Sequence, residues 1–265
     1  MLPDFEMIVH QFPHDINIIP LFDVHLGAAE HMEEDFQRFV QMVKDAPNTY
    51  LVLGGDLINN ATRSSVSNIF EERYRPSEQK KIMSKLLAPV RDKILCSVTG
   101  NHERRSTKDA DDDPAYDIMA KLDLEHLHRE NIAFVKLCLG EQENDNGNRT
   151  AGKQRPTYTL VVTHGAGGGI YTGTAVLRAE RWGYAITGMD ALIVGHTHKP
   201  FTTQPGQIVI DPRNNKVSVK PFKVISATSW LEYGGYAAQK MLLPSSHCLH
   251  VLTLRADKKE MVVTM

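Results

Sequence analysis

The sequence predicts an α/β protein. An apolar run at 16–22, an amphipathic helical stretch at 31–46 and a second apolar run at 50–53 follow one another as strand, helix and strand. Three further buried-strand runs, at 94–98, 158–162 and 191–194, each lead directly into polar residues able to do chemistry. In α/β sheets, sites gather outside the carboxyl ends of strands.

Residues 1–14 are mixed and carry no clear pattern. The first strand ends in Asp23-Val24-His25-Leu26-Gly27, where strand alternation would put Asp23 and His25 on one side. In 31–46, Phe36, Phe39, Val40 and Val43 recur at helical spacing, with Glu33, Glu34 and Asp35 in the first turn. Pro47-Asn48 breaks the helix, and the next strand ends at Gly54-Gly55-Asp56. A helix is expected over 78–87, ended by Pro89. Arg63, Arg73 and Arg75 precede it and read as solvated residues.

The strand 94–98 delivers Thr99-Gly100-Asn101-His102-Glu103. Alone, that string is an ordinary turn. The acidic stretch 109–114 lacks the glycine and terminal glutamate of a calcium loop and reads as a loop and helix entry. A helix is expected over 115–129, with His126 and His128 on its surface or end. A strand at 134–139 and its return at 158–162 bracket a polar loop, 141–156, whose Asn-Asp-Asn-Gly-Asn is a turn signal. The return strand ends in Thr163-His164-Gly165. A short helix at 174–182 precedes the strand that ends in Gly195-His196-Thr197-His198. Strands at 208–210, 217–219 and 222–226, then a closing hairpin at 248–254 and 261–264, complete the chain. No internal repeat or low-complexity linker divides the 265 residues, so one domain, 1–265, is expected.

Composition narrows the function. Lys and Arg number 30 against 32 Asp and Glu, a formal charge of −2, which argues against a generally basic nucleic-acid binder. Cys96, Cys138 and Cys248 are far apart and show no metal-knuckle or redox-pair spacing. They read as free thiols of a reducing compartment. No signal-peptide pattern and no apolar run of membrane-spanning length is visible, so a cytoplasmic protein without a membrane partner is expected.

Five strand ends in order carry Asp23-x-His25, Gly55-Asp56, Gly100-Asn101-His102-Glu103, His164 and Gly195-His196-x-His198. This series resembles the calcineurin-like metallophosphoesterase superfamily over nearly the whole chain. The resemblance implies a four-layer α/β-β/α sandwich of two mixed β-sheets flanked by helices, with a two-metal site at the strand ends. It implies that Asp23, His25 and His198 hold one metal, that Asn101, His164 and His196 hold the other, and that Asp56 bridges them. His102 would contact the phosphate as general acid, and Glu103 would orient His102. Two such cations clamp a phosphate and lower the pKa of a water, giving a hydroxide that attacks phosphorus. A protonated imidazole then neutralises the leaving oxygen. The nitrogen and oxygen donors suit manganese first, with iron, zinc or magnesium as alternatives.

Ser/Thr protein phosphatases of the superfamily carry an arginine in the second motif, where this chain runs Gly55-Asp56-Leu57-Ile58-Asn59-Asn60. The Asp23-Val24-His25-Leu26-Gly27 run is closer to the nuclease and phosphodiesterase branch. The expected activity is therefore hydrolysis of a phosphodiester with a nucleotide-like substrate. A DNA or RNA nuclease is the alternative, and a non-catalytic scaffold on the same fold the third reading. Arg104, Arg105, Tyr171, Arg178 and Arg181 are candidate substrate contacts. The aromatic stretch 230–236 either stacks a base or plugs the sheet edge.

Overall fold

Alternating and continuous apolar runs build two six-stranded sheets in this computed structural model, which describes residues 3–63, 65, 69–140 and 155–265. In chain order the strands are β1 (Met7–Phe12), β2 (Ile16–Leu21), β3 (Thr49–Leu53), β4 (Ile94–Val98), β5 (His128–Arg129), β6 (Ile132–Leu139), β7 (Thr157–Thr163), β8 (Ala191–Val194), β9 (Phe201–Thr203), β10 (Gly206–Asp211), β11 (Lys216–Pro221), β12 (Lys223–Ser226), β13 (Val251–Leu254) and β14 (Met261–Thr264). The helices are α1 (Glu33–Asp45), α2 (Pro76–Leu87), α3 (Glu103–Ala110), α4 (Pro114–Ala120), α5 (Thr172–Gly183) and α6 (Gly235–Gln239).

One sheet runs β14-β13-β2-β3-β4-β5, with β2 to β5 parallel and β13 antiparallel to β2. The other runs β1-β6-β7-β8-β12-β9, mixing parallel and antiparallel pairs. The side chains explain the layers. In β6, alternate residues Val135, Leu137 and Leu139 join Leu160 and Val162 of β7 and the β2–β4 strands in one core. The opposite face of the second sheet, through Val161, Leu192 and Val224, packs on Ala175 and Ala179 of α5. Phe36, Phe39, Val40 and Val43 of α1 cover the first sheet. The result is the mixed α/β sandwich expected.

Several elements differ from the sequence expectation. β1 lies in the stretch without a pattern; it is an edge strand beside β6, and its outer residues Met7 and Val9 are exposed. The helix expected over 115–129 stops at Ala120, because Asp123 adopts a left-handed backbone (φ 57°) and Leu124 N–H turns back to Met119 O. His128 is consequently not a surface histidine; its Nε2 lies 3.3 Å from Thr99 Oγ1 and 3.7 Å from Asp113 Oδ2. The helix entry at Asp113 is as read: its carboxylate accepts Ala115 and Tyr116 N–H. β9 was not foreseen. Trp230 is buried against Phe36 and Phe39, so it plugs the core beneath α1 and stacks no base. The loop expected at 141–156 lies, apart from Arg155 and Pro156, outside the described residues; β6 and β7 pair antiparallel, as a hairpin requires.

Candidate active site

The carboxyl ends of β2, β3, β4, β7 and β8 converge, and each ends one to three residues before the first of the side chains singled out above. The placement is achieved differently from the alternation expected. β2 ends at Leu21, so Asp23 and His25 lie beyond it, and both take left-handed backbone (φ 49° and 50°). Asp56 (φ 51°), His196 (φ 67°) and His198 (φ 54°) do the same. That conformation costs free energy for any residue but glycine, though Asp, Asn and His tolerate it best. Between them Val24, Leu26 and Leu57 point into the core. Two glycines make the approach possible. A Cβ on Gly100 would fall on Asp56 Oδ1 and its backbone N, and a Cβ on Gly195 would meet the Phe22 ring and Asp23 Oδ2.

Each carboxylate is anchored by one oxygen and offers the other. Asp23 Oδ2 accepts His196 N–H at 2.9 Å, which ties the two sheets together, and Oδ1 has no hydrogen-bond partner. Asp56 Oδ1 accepts His102 N–H at 2.8 Å; Oδ2 stands 3.3 Å from His164 Nε2 and 3.9 Å from His25 Nε2. Two pockets result. In the first, Asp23 Oδ1 is 3.5 Å from His198 Nε2, which is 3.1 Å from His25 Nε2. In the second, Asn101 Oδ1 is 2.8 Å from His164 Nε2 and 2.7 Å from His196 Nδ1.

Ring nitrogens this close, beside a buried carboxylate oxygen with no partner, form a donor set that a cation would complete. Burial opposes a charge on Asp56, and the imidazoles of His102, His164 and His25 outweigh it, holding the carboxyl well below its usual range. Burial also opposes a charged His164, yet Asp56 beside it raises its pKa to about 10. Asp23 raises His198 against burial in the same way. Burial and the neighbouring imidazoles push His25 and His196 down. Asp23, His25 and His198, and separately Asp56, His164 and His196, have donor atoms close enough to share one ion. A third group, His25, Asp56 and His102, overlaps both. The donors fit divalent cations.

His102 is held between two partners. Its Nδ1 lies 2.8 Å from the Asn59 carbonyl and donates to it; its Nε2 accepts from Arg105 at 2.9 Å. Burial lowers its pKa to about 4. Glu103 does not orient this ring, contrary to expectation. Its carboxylate accepts N–H groups of Asp56 (2.8 Å), Leu57 (2.7 Å), Ile58 (3.2 Å) and Gly100 (3.0 Å), so it holds the Asp56 loop. Burial and the Asp56 charge push its pKa up to about 7.

Asn59 and Asn60 brace His102 and are not singled out in the sequence. The Asn59 carbonyl accepts from Arg105 at 3.0 Å as well as from His102. Asn60, at φ 45°, donates from its amide to His102 O and to Ser106 Oγ. The Asn-Asn pair following the second motif was the available signal. Arg104 lines a recess of about 470 Å³ with Asn101, Thr163, His164 and His196. Arg178 is not in the lining of that recess but donates to the carbonyl of Ala166, which is, at 2.7 Å. Tyr171 and Arg181 are exposed and do not line it.

Two mixed sheets with Asp, Asn and His donors gathered at their strand ends define the metallophosphoesterase fold. The chain belongs to the calcineurin-like phosphoesterase family, whose model matches residues 23–200. It carries the family's chemistry, hydrolysis of phosphoric esters. No curated protein matches the chain in sequence. Among solved structures it is similar to a conserved uncharacterized protein, a predicted phosphoesterase, from Streptococcus pneumoniae TIGR4 (12% identity, covering 94% of this chain and 98% of that one, TM-score 0.35). It is similar also to a metallophosphoesterase from Sphaerobacter thermophilus (16%, 81% and 77%, TM-score 0.36). A third is the calcineurin-like phosphoesterase YfkN from Bacillus subtilis (13%, 94% and 90%, TM-score 0.37). No helix among the described residues is long and apolar enough to cross a membrane.

Proposed function

We propose that the protein hydrolyses phosphodiesters carrying a nucleotide-like group, with two divalent metal ions, manganese first. Asp23, His25 and His198 would hold one ion, Asn101, His164 and His196 the other, and Asp56 both. The observation that carries this reading is Asp56: one carboxylate oxygen is fixed by His102 N–H and the other stands between His25 and His164. Such ions polarise the ester and make a water acidic enough to attack it. The protein's own groups do the rest. His102, its Nδ1 spent on Asn59, has Nε2 left to give a proton to the leaving oxygen. A phosphate entering beside Nε2 brings the negative charge that raises the imidazole's pKa. Arg105 is then free to turn from the ring to a phosphate oxygen, a contact the second motif does not provide. Arg104 stands in the recess beyond the second pocket, where a substituent of the diester would lie. The free Cys96, Cys138 and Cys248 support a reducing compartment, the cytoplasm.

Purified protein supplemented with manganese would be assayed on bis-p-nitrophenyl phosphate, p-nitrophenyl phosphate, cyclic nucleotides, and single- and double-stranded DNA. Turnover of the small diesters ahead of the monoester is expected. Cleavage of DNA without turnover of small diesters would replace this reading with a nuclease. No turnover of any ester would leave a scaffold.

A further inference from the structure

The connection between β9 and β12 is a two-stranded ribbon, β10 and β11, which joins neither six-stranded sheet. Its register pairs Gly206 with Pro221, Ile208 with Val219 and Ile210 with Val217. Directly opposed residues share a face. One face is therefore Gly206, Ile208, Ile210, Val217, Val219 and Pro221, without a polar or charged side chain. The other face carries Gln207, Val209, Asp211, Lys216, Ser218 and Lys220.

The ribbon is mounted inside out. Gln207 reaches back to the body and donates to Tyr184 O at 3.2 Å, and Gln207 and Asp211 are partly covered. The apolar face is turned to solvent: Ile208 is 75% exposed, Ile210 70%, Val219 69% and Val217 65%. Elsewhere in this chain branched aliphatics on strands are mostly core residues. A lone two-stranded ribbon is marginal in water, and a row of exposed β-branched residues on a free edge invites pairing.

We propose that this face is a self-association surface that packs on the same face of a second copy of the chain. Three features select that occupant. The face carries no charge, so two copies meet without opposing like charges, while Lys216 and Lys220 stay on the far side. It offers no basic or aromatic side chain, which argues against nucleic acid. Its area suits a dimer. The four large side chains expose roughly 500 Å² per copy, at the upper end of ordinary surface patches. Two copies could bury at most about 1,000 Å² through these side chains, the lower bound of a specific interface, which suits a weak dimer. An uncharged face of this kind can meet its own copy about a twofold axis without juxtaposing like charges. The association is expected to be reversible.

The test is sedimentation equilibrium of the full-length protein from micromolar to hundreds of micromolar. The average mass should rise from the protomer toward twice that value. Ile208→Lys with Val219→Lys should hold it at the protomer mass at every concentration, with the circular dichroism spectrum unchanged. Lys220→Glu, on the opposite face, should associate as the wild type does. A wild-type protein that stays monomeric throughout overturns the proposal, as does a double variant that still dimerises. Ribbon-dependent co-sedimentation of a monomeric protein with phosphatidylcholine–phosphatidylglycerol vesicles would overturn it in favour of a membrane surface. Loss of phosphoesterase activity has no bearing on these readouts, so the proposal stands or falls separately from the assigned reaction.

Discussion

The two candidate metal pockets lie on either side of Asp56 but are built differently. In the first, His25 Nδ1 has no hydrogen-bond partner, and the ring meets His198 Nε2 at 3.1 Å and the edge of the His102 ring at 4.3 Å, with no main-chain partner. In the second, His164 Nδ1 donates to the Gly54 carbonyl at 2.8 Å, so main chain fixes its tautomer and direction. The first is walled by Asp23 and His25, both buried; the second opens on the recess beside Arg104. The second pocket has one ring pre-oriented by main chain and an opening to the recess. Left-handed backbone keeps the donors together in both, at Asp23, His25 and His198 in the first and at Asp56 and His196 in the second; the main-chain partner of a ligand ring at His164 is what sets the second apart.

The largest effect is expected where the two pockets meet. Asp56→Asn removes the one charge they share. Hydrolysis should fall by about 10³-fold or more, and metal content should drop in both. Retention of one full equivalent of metal would show that Asp56 serves a single pocket. His102→Ala comes next. A lost general acid lowers the rate roughly 10²–10⁴-fold with metal content unchanged. If metal content falls too, His102 is a ligand, as its grouping with His25 and Asp56 allows, and the acid must be sought elsewhere.

The contrast itself can be measured by filling order. Partners behind a metal ligand typically change affinity about 10–100-fold. The stripped protein should therefore take up its first equivalent of cobalt or manganese in the second pocket. Asn101→Ala should abolish that tighter phase, and His198→Ala only the weaker one. The reverse assignment would mean that backbone conformation orients a ligand better than the Gly54 carbonyl does.

The strand ends were legible because buried strands are continuous apolar runs, and the candidate metal ligands because five polar strand ends follow in a known order. The support around them was not. The sequence contains Asp23 and His25 two apart, but not that both leave the strand in left-handed backbone. Glu103 beside His102 suggests a carboxylate–imidazole pair. In the fold its four N–H donors come mostly from residues more than forty positions away. Arg105 was a candidate for substrate, yet nothing local to it shows that its guanidinium caps His102 Nε2. The edge strand β1 hid for a related reason: half solvated, it has no apolar run to announce it.

The smallest expected effect lies behind the second pocket. Asp113 caps α4 and faces His128, whose ring touches Thr99 and Ser97 beneath the turn that delivers Asn101. Asp113→Ala should cost about 1 kcal/mol of stability, the usual worth of an N-cap. Its pH dependence has a definite sign. Burial opposes the Asp113 charge, but His128 and the Tyr116 and Ala115 N–H groups outweigh it and lower the pKa from 3.8. A lowered carboxyl stabilises the fold above its unfolded value and loses that contribution as pH falls through the folded one. The stability gap between wild type and variant, read by urea denaturation, should be full at neutral pH and shrink below about pH 4. A gap that stays constant down to pH 3 would show that the cap acts through shape and not charge. The brace behind the second pocket would then be independent of protonation.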